Sequence, residues 1–208
     1  MAIHLSYHFL IKLFEVFNLS HLFKVLYSID LHLLEFINHE RIKPLDNFFI
    51  FITETSYIIA FAIPIVLLIH SLINHRFKLK RQSFLMLISL TINSLIIDII
   101  KYAVNRRRPF EVDNFIEKLT GGGSPSFPSG HTGDTFLIAT ALTLLFPKQR
   151  WWLLAVWIWA FMVAYSRVVL GVHYPSDVIA SMFISSTIAI VLNRFFIKKN
   201  FIKYAANT

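Results

Sequence analysis

Apolar residues gather into five segments separated by short polar stretches: roughly 50–73, 84–104, 132–146, 151–170 and 178–197. A helix needs about 20 residues to cross a hydrocarbon core of about 30 Å. Four segments meet this length, whereas the third, between Pro128 and Pro147, is short and requires neighbouring helices around it. The pattern therefore predicts an all-α, multi-pass transmembrane helical bundle with five spans.

The N-terminal region, residues 1–46, has a different pattern. Its apolar residues fall near helical spacing, but charged residues interrupt them at short intervals: Lys12, Glu15, Lys24, Asp30 and Glu35. Such a segment is typical of an amphipathic helix lying in the membrane interface. We expect either that helix or a weak sixth span packed within the bundle, followed by a single membrane domain over residues 47–208.

The composition supports a membrane protein. Hydrophobic residues make up 56% of the chain and charged residues 15%, against about 45–50% and about 25% in soluble domains. Cysteine is absent, which excludes disulfides, thiol catalysis and metal sites built on cysteine. The net charge of +8 would suggest nucleic acid in a soluble protein. In a membrane protein, Lys and Arg collect in cytoplasmic loops, so we expect no nucleic-acid partner.

The positions of the positive charges predict the orientation. Lys and Arg are frequent in loop 74–83, in loop 147–150 and in the C-terminal tail. Alternating spans place these three regions on one side, which we expect to be the cytoplasmic side of the inner cell membrane. Residues 105–131 and 171–177 then face outward. The Arg106–Arg108 cluster on that side indicates an anionic ligand, although we expect Arg106 and Arg107 themselves to contact lipid headgroups.

Three motifs lie at the outer ends of the spans, where this topology brings them together. They are Lys101-x6-Arg108-Pro109, Pro128-Ser129-Gly130-His131, and Ser166-Arg167-x5-His173-x3-Asp177. Lys101, Arg108 and Arg167 supply positive charge, and arginine suits bidentate contact with phosphoryl oxygens. Ser129 and Gly130 are placed where the third span begins, and the free N–H groups of a helix start favour an anion.

The two histidines provide the reactive groups. Gly171 is expected to end the fourth span and Pro175 to begin the fifth, which predicts that His173 lies in an exposed turn with Asp177 one turn further on. A carboxylate that accepts a hydrogen bond from one imidazole nitrogen leaves the lone pair of the other free to attack phosphorus. His131 can then protonate the leaving oxygen and later activate water.

This set of motifs resembles the type 2 phosphatidic acid phosphatase family, whose fold is shared with vanadium haloperoxidases. The match covers about residues 83–197 without a gap or substitution in the motifs. The resemblance implies a metal-independent phosphatase that hydrolyses a phosphomonoester or pyrophosphate of a membrane lipid. Candidate substrates are undecaprenyl pyrophosphate, phosphatidylglycerol phosphate, phosphatidic acid and lipid A 1-phosphate. It also implies a phosphohistidine intermediate on His173, with His131 as acid and base.

Three alternatives stay open at this point. The same cationic pocket could bind vanadate in a haloperoxidase-like enzyme. His131, His173 and Asp177 could ligate zinc, although three neighbouring cations would oppose a divalent metal. A non-enzymatic lipid carrier would need spans and basic loops but no His–Asp pair. We expect no metal and no cofactor, and the sequence leaves the oligomeric state open.

Overall fold

Helices make up the regular structure of the described chain. A computed structural model describes the backbone of residues 19–205 and the side chains of residues 21–196. The helices are α1 (Leu19–His39), α2 (Asp46–Ile73), α3 (Phe77–Val104), α4 (Pro109–Val112), α5 (Gly130–Leu145), α6 (Arg150–Val169) and α7 (Pro175–Ala205), with a 3-10 turn at Lys43–Leu45. No strand occurs over residues 19–205, so the predicted all-α fold is confirmed.

Local sequence explains where the helices around the outer loops begin and end. The helix α3 stops at Asn105, whose φ of 48° is left-handed and whose N–H donates to Lys101 O. Gly171, with φ of 72°, follows the end of α6, and a Cβ at this position would collide with the carbonyl oxygen of Glu117. Pro175 is the first residue of α7, a position where proline loses no helical hydrogen bond. The expected roles of Gly171 and Pro175 are thus confirmed.

Four helical segments among the described residues are long and apolar enough to cross a membrane: Lys43–Ile73, Phe77–Val112, Arg150–Val169 and Pro175–Phe196. The remaining predicted span, α5, has only 16 residues. It packs against α2, α3, α6 and α7, and its residues from Thr132 to Thr140 are buried. Helical neighbours therefore cover the short helix, as its length requires.

The helix α1 packs on α6 and α7. Leu34 is fully buried in a cluster with Ala160, Ala164 and Val168, whereas Phe23 and Phe36 are largely exposed. This one-sided burial fits the amphipathic helix predicted from the sequence. Residues 1–18 of the predicted N-terminal segment, including Lys12 and Glu15, lie outside the described residues.

Polar side chains connect the spans inside the bundle. Asn93 of α3 donates to Asp134 Oδ1 of α5 at 2.8 Å and accepts from Ser185 of α7 at 2.7 Å. Ser181 of α7 donates to Ser129 O at 2.5 Å. These bonds need close backbones, and Gly133 of α5 provides that approach, since a Cβ there would lie 2.7 Å from Ser185 Oγ and 2.9 Å from Ser181 Oγ. Small residues and interhelical hydrogen bonds of this kind stabilise helix packing in membranes.

We expect Gly133→Ala to lower the stability of the purified protein by about 1–3 kcal/mol, the usual cost of overpacking a core. The added methyl group would displace two serine hydroxyls that are already hydrogen-bonded. Thermal unfolding in detergent measures the effect. Gly123→Ala is the matched control, because a Cβ at Gly123 meets nothing within 4 Å. Equal melting temperatures for the two variants would contradict this account of the helix interface.

Candidate active site

The sequence motifs converge at one end of the bundle. Lys101 lies in the last turn of α3, the Ser129–His131 segment begins α5, and His173 lies in the turn between α6 and α7. His131 is within electrostatic range of Arg167, His173, Arg108 and Lys101. The residues of all three motifs therefore surround one site, as the topology predicted.

His173 is placed between an acid and a cation. Its Nδ1 lies 3.4 Å from Asp177 Oδ2, and its Nε2 lies 3.3 Å from Arg108 Nη1. The carboxylate can only accept, so Nδ1 carries the proton and Nε2 keeps its lone pair. Burial lowers the pKa of His173 to about 3, although the hydrogen bond to Asp177 acts in the opposite direction. The imidazole is therefore neutral at physiological pH, and its Nε2 lone pair accepts from Arg108 Nη1.

Asp177 is fully buried and its carboxylate is saturated with donors. Oδ2 accepts from Ser126 Oγ at 2.5 Å and from the backbone N–H of Tyr174 at 3.0 Å, in addition to facing His173. Oδ1 accepts from Arg106 Nη1 at 2.7 Å. The contact with Tyr174 is that of a carboxylate in the first helical turn that caps the start of its own helix. The orientation of Asp177 is thus fixed from several segments at once.

Three buried cations line the site, and backbone carbonyls hold each of them. Lys101 Nζ donates to Pro125 O at 2.7 Å. Arg108 donates to Ser124 O and to Val172 O, both at 2.8 Å. Their side chains are about 5% exposed, and Arg167 is 2% exposed. None of the three cations forms a salt bridge with a carboxylate among the described side chains, and carbonyl oxygens carry only partial charge. This concentration of positive charge therefore favours an anion.

Arg167 retains an unused donor. Nη1 donates to Thr53 Oγ1 at 2.7 Å, and Nη2 reaches Gly121 O at 3.5 Å. Its Nε is buried and has no hydrogen-bond partner among the described residues. Buried donors are almost always paired in folded proteins, and an exception commonly marks a place where a ligand or water binds.

The start of α5 forms the opposite wall of the site. Ser129 is the N-cap residue, but its side chain makes no capping hydrogen bond to the helix. His131 lies in the first turn, with its ring centroid 4.1 Å from that of Tyr57. A Cβ at Gly130 would lie 2.8 Å from the Tyr57 hydroxyl oxygen. The glycine is therefore required for the approach of Tyr57, a contact that the motif alone does not indicate.

Two expectations from the sequence are wrong. His173 does not lie in an exposed turn: it is 1% exposed, because Arg108, 65 positions away in the sequence, packs against it together with Asp177. Arg106 does not point to lipid headgroups. It donates to Asp177, to Ser176 Oγ and to Asp30 Oδ2, since the turn after α3 brings its guanidinium between two buried carboxylates. Arg107 contacts the Glu111 backbone carbonyl and is otherwise exposed.

Sequence reasoning missed several residues of the site: Asp30, Thr53, Tyr57 and Ser126. One signal was available for α2, whose buried residues Thr53, Ser56, Ala60 and Pro64 are small or polar and recur every three or four positions. This spacing marks the side of a span that faces other helices. No group of three or more His, Asp or Glu side chains suited to a metal occurs in the described part of the chain.

Comparisons with known proteins agree with this geometry. The family model of the PAP2 superfamily matches residues 82–201. An undecaprenyl-diphosphatase of Sulfolobus acidocaldarius is 33% identical over 164 residues, which are 77% of this chain and 75% of that protein. A lipid A 4'-phosphatase of Bacteroides thetaiotaomicron is 38% identical over 87 residues, 39% of this chain and 38% of that protein.

A solved structure has the same fold. The first transmembrane PAP2 type phosphatidylglycerolphosphate phosphatase from Bacillus subtilis superposes with a TM-score of 0.70 at 22% identity. The match covers 84% of this chain and 87% of that one. The chain belongs to the PAP2 superfamily.

We expect Gly122→Ala to weaken the binding of orthovanadate, a phosphate analogue, by about 10-fold, which corresponds to the loss of one hydrogen bond to a charged group. A Cβ at Gly122 would lie 2.8 Å from Arg108 Nη1 and would push the guanidinium away from the site. The inhibition constant of orthovanadate measures the effect. Gly123→Ala, with open space around its Cβ, should bind orthovanadate normally, and equal weakening in both variants would argue against this placement of Arg108.

Proposed function

We propose that this member of the PAP2 superfamily removes the terminal phosphate of a polyprenyl diphosphate, with undecaprenyl pyrophosphate as the representative substrate. The chain is a membrane lipid phosphatase of the PAP2 type. In the sequence comparison, an undecaprenyl-diphosphatase matches 77% of this chain at 33% identity, whereas a lipid A 4'-phosphatase matches 39% of it. This difference in sequence coverage supports the choice of the diphosphate over the 4'-phosphate of lipid A.

The placement of His173 is the observation that carries the mechanism. Asp177 holds Nδ1, so the lone pair of Nε2 lies on the side of Arg108. In the first step, Nε2 attacks the terminal phosphorus and a bond forms between nitrogen and phosphorus. The bond from phosphorus to the bridging oxygen breaks, and polyprenyl phosphate leaves with a proton donated by His131.

The second step restores the enzyme. His131, now neutral, accepts a proton from a water molecule as the water oxygen attacks the phosphohistidine. The nitrogen–phosphorus bond breaks, inorganic phosphate is released, and the electron pair returns to Nε2. Tyr57 packs against the His131 ring and restricts its orientation in both steps.

The cations stabilise the phosphoryl group as it transfers. Lys101, Arg108 and Arg167 hold its oxygens in our proposal, together with Ser129 and the backbone at Gly130, where the first N–H groups of α5 are not capped by a side chain. Fixed donors aimed at developing negative charge are commonly the largest catalytic contribution. Because three cations already surround the site, a divalent metal would be repelled. The proposed reaction is therefore independent of metal.

The proposal also divides the chain into regions. We place the catalytic core at about residues 83–197 within a membrane domain of residues 47–208, preceded by the amphipathic segment 1–46. The basic loops 74–83 and 147–150 support a cytoplasmic position for the end of the bundle opposite the site. In this orientation the active site opens on the extracytoplasmic side of the inner membrane.

We expect His173→Ala to abolish phosphate release, because the side chain that accepts the phosphoryl group is lost. The purified protein is assayed with EDTA on undecaprenyl pyrophosphate, phosphatidylglycerol phosphate, phosphatidic acid and lipid A 1-phosphate. The wild-type protein should act on undecaprenyl pyrophosphate with the highest kcat/KM. His70→Ala, a histidine at the far end of α2, is the matched control and should retain full activity.

The outcomes separate the alternatives. Normal turnover by His173→Ala would refute the phosphohistidine mechanism. Activity that EDTA removes and zinc restores would indicate a metal hydrolase, and bromide oxidation with added vanadate would indicate a haloperoxidase. Lipid transport without phosphate release, surviving the loss of both histidines, would indicate a carrier.

The absence of cysteine allows a clean test of orientation. We expect Phe115→Cys, at a side chain that is 75% exposed near the site, to react with a membrane-impermeant maleimide in intact cells. Lys148→Cys, in the exposed loop between α5 and α6, should react only after the cells are permeabilised. The reverse labelling pattern would overturn the proposed orientation and leave the chemistry of the site unaffected.

A further inference from the structure

A buried carboxylate on α1 contacts the catalytic region from outside the sequence motifs. Asp30 is 7% exposed and lies well before residues 82–201, the range matched by the family. Its Oδ1 accepts from the Ser176 backbone N–H at 2.8 Å. Its Oδ2 accepts from Ser176 Oγ at 2.5 Å and from Arg106 Nη2 at 2.6 Å. Neither the proposed mechanism nor the packing of α1 through Leu34 requires this charged group.

We propose that Asp30 is a positioning residue for catalysis: through Arg106 it fixes the Asp177 carboxylate and hence the orientation of His173. The inference rests on the proposed function, since it assigns a role within that reaction. In this proposal α1 contributes to catalysis through Asp30, although Asp30 does not contact the transferred phosphoryl group.

The Arg106 guanidinium bridges two acids. One terminal nitrogen donates to Asp177 Oδ1 at 2.7 Å and the other to Asp30 Oδ2 at 2.6 Å. The guanidinium carbon also lies 3.7 Å from the centre of the Tyr174 ring, within the range of a cation–π contact. Arginine has a planar, rigid fork of donors, so holding one nitrogen restricts the other. Asp30 thereby determines the direction from which Arg106 reaches Asp177.

The surroundings strengthen this coupling. Asp30, Arg106 and Asp177 form a clamp, and the first two of these residues border a cavity of about 560 Å³ whose walls include Phe23 and Val104. The three side chains are between 0% and 19% exposed. Charges interact more strongly in such apolar surroundings than in water. Loss of one acid therefore alters the interaction of Arg106 with the other.

Asp177 links Arg106 to His173, because the two residues contact different oxygens of the same carboxylate. Arg106 occupies Oδ1, which leaves Oδ2 to face His173 Nδ1. If Arg106 is free to rotate, the Asp177 carboxylate loses one of its fixed donors, and the imidazole loses part of its alignment. Groups that orient a reactive side chain in this way commonly contribute about 10–100-fold to activity.

The test compares Asp30→Asn with the wild-type protein on a substrate that the wild type hydrolyses. The amide has no negative charge and replaces one of the two acceptor oxygens with an NH2 donor, so Asp30→Asn removes the ion pair with Arg106 and at least one of the three hydrogen bonds that Asp30 accepts. We expect kcat to fall about 10-fold, with KM changed less than about 2-fold because the phosphate-binding cations are untouched. Glu35→Gln, an acid-to-amide change on the same helix, should leave both constants unchanged.

Two further measurements separate positioning from helix docking. In the Arg106→Lys background, Asp30→Asn should cause no further loss of kcat, because its effect passes through Arg106. Asn38→Ala removes the hydrogen bonds of α1 to Glu117 and Val169. This variant should lower the melting temperature, but it should not cause the loss of kcat that Asp30→Asn causes. Additive losses in the double variant, or equal losses of kcat in Asp30→Asn and Asn38→Ala, would overturn the proposal.

Ligand binding tests the same coupling without turnover. Orthovanadate resembles the transition state of phosphoryl transfer, so we expect its binding to depend on the alignment of His173. Inorganic phosphate does not resemble the transition state, so we expect its binding to depend mainly on the cations. Calorimetric titration of Asp30→Asn should show about 10-fold weaker orthovanadate binding and unchanged phosphate binding. Unchanged binding of both would refute the role of Asp30, whereas a wild-type protein that binds both anions but hydrolyses no lipid would refute only the proposed function.

Discussion

The carboxylate of Asp177 holds the active site together. It accepts hydrogen bonds from Ser126 in the outer loop, from Arg106 after α3 and from the backbone at Tyr174, and it faces His173. These donors come from segments far apart in the sequence, so their convergence depends on the packing of the whole bundle. A buried carboxylate is strongly unfavourable without such partners. The contacts that stabilise the buried Asp177 carboxylate thus also orient the imidazole of His173, the nucleophile of the proposed reaction.

The cations of the site present the opposite problem, because three positive side chains repel one another in an apolar bundle. The protein reduces this repulsion with carbonyl oxygens of the segment 121–125, which accept from Lys101, Arg108 and Arg167. Such dipoles orient the cations but do not neutralise them. An incoming phosphate supplies the missing negative charge, so the interactions that destabilise the empty site favour the bound one. The glycines of this segment allow its backbone to approach the guanidinium of Arg108 closely.

Some features of the site could be predicted from the sequence because they depend on local patterns, and others could not because they depend on contacts between distant residues. The convergence of Lys101, Arg108, His131, His173 and Asp177 at one end of the bundle could be predicted from the sequence, because each residue lies near the end of a predicted span. Gly171 and Pro175 mark the helix boundaries on either side of His173. The short helix α5 and its cover by neighbouring helices also agree with the sequence pattern. The burial of His173 and the inward direction of Arg106 could not be predicted, since both depend on contacts between residues up to 76 positions apart, as for Arg106 and Asp30. A local pattern of charge carries no information about such partners.

Several contacts with the site come from residues outside the family match. The matched region begins at residue 82, yet Thr53 holds Arg167, Tyr57 packs on His131, and Asp30 holds Arg106. Each of these side chains contacts a motif or clamp residue from a helix that precedes the matched region. Because α1 and α2 supply all three, a change in how these helices pack would alter the orientation of a cation, the acid–base histidine and the clamp together. The packing of α1 and α2 on the bundle therefore helps to set the geometry of the site, although neither helix carries a residue of the three motifs.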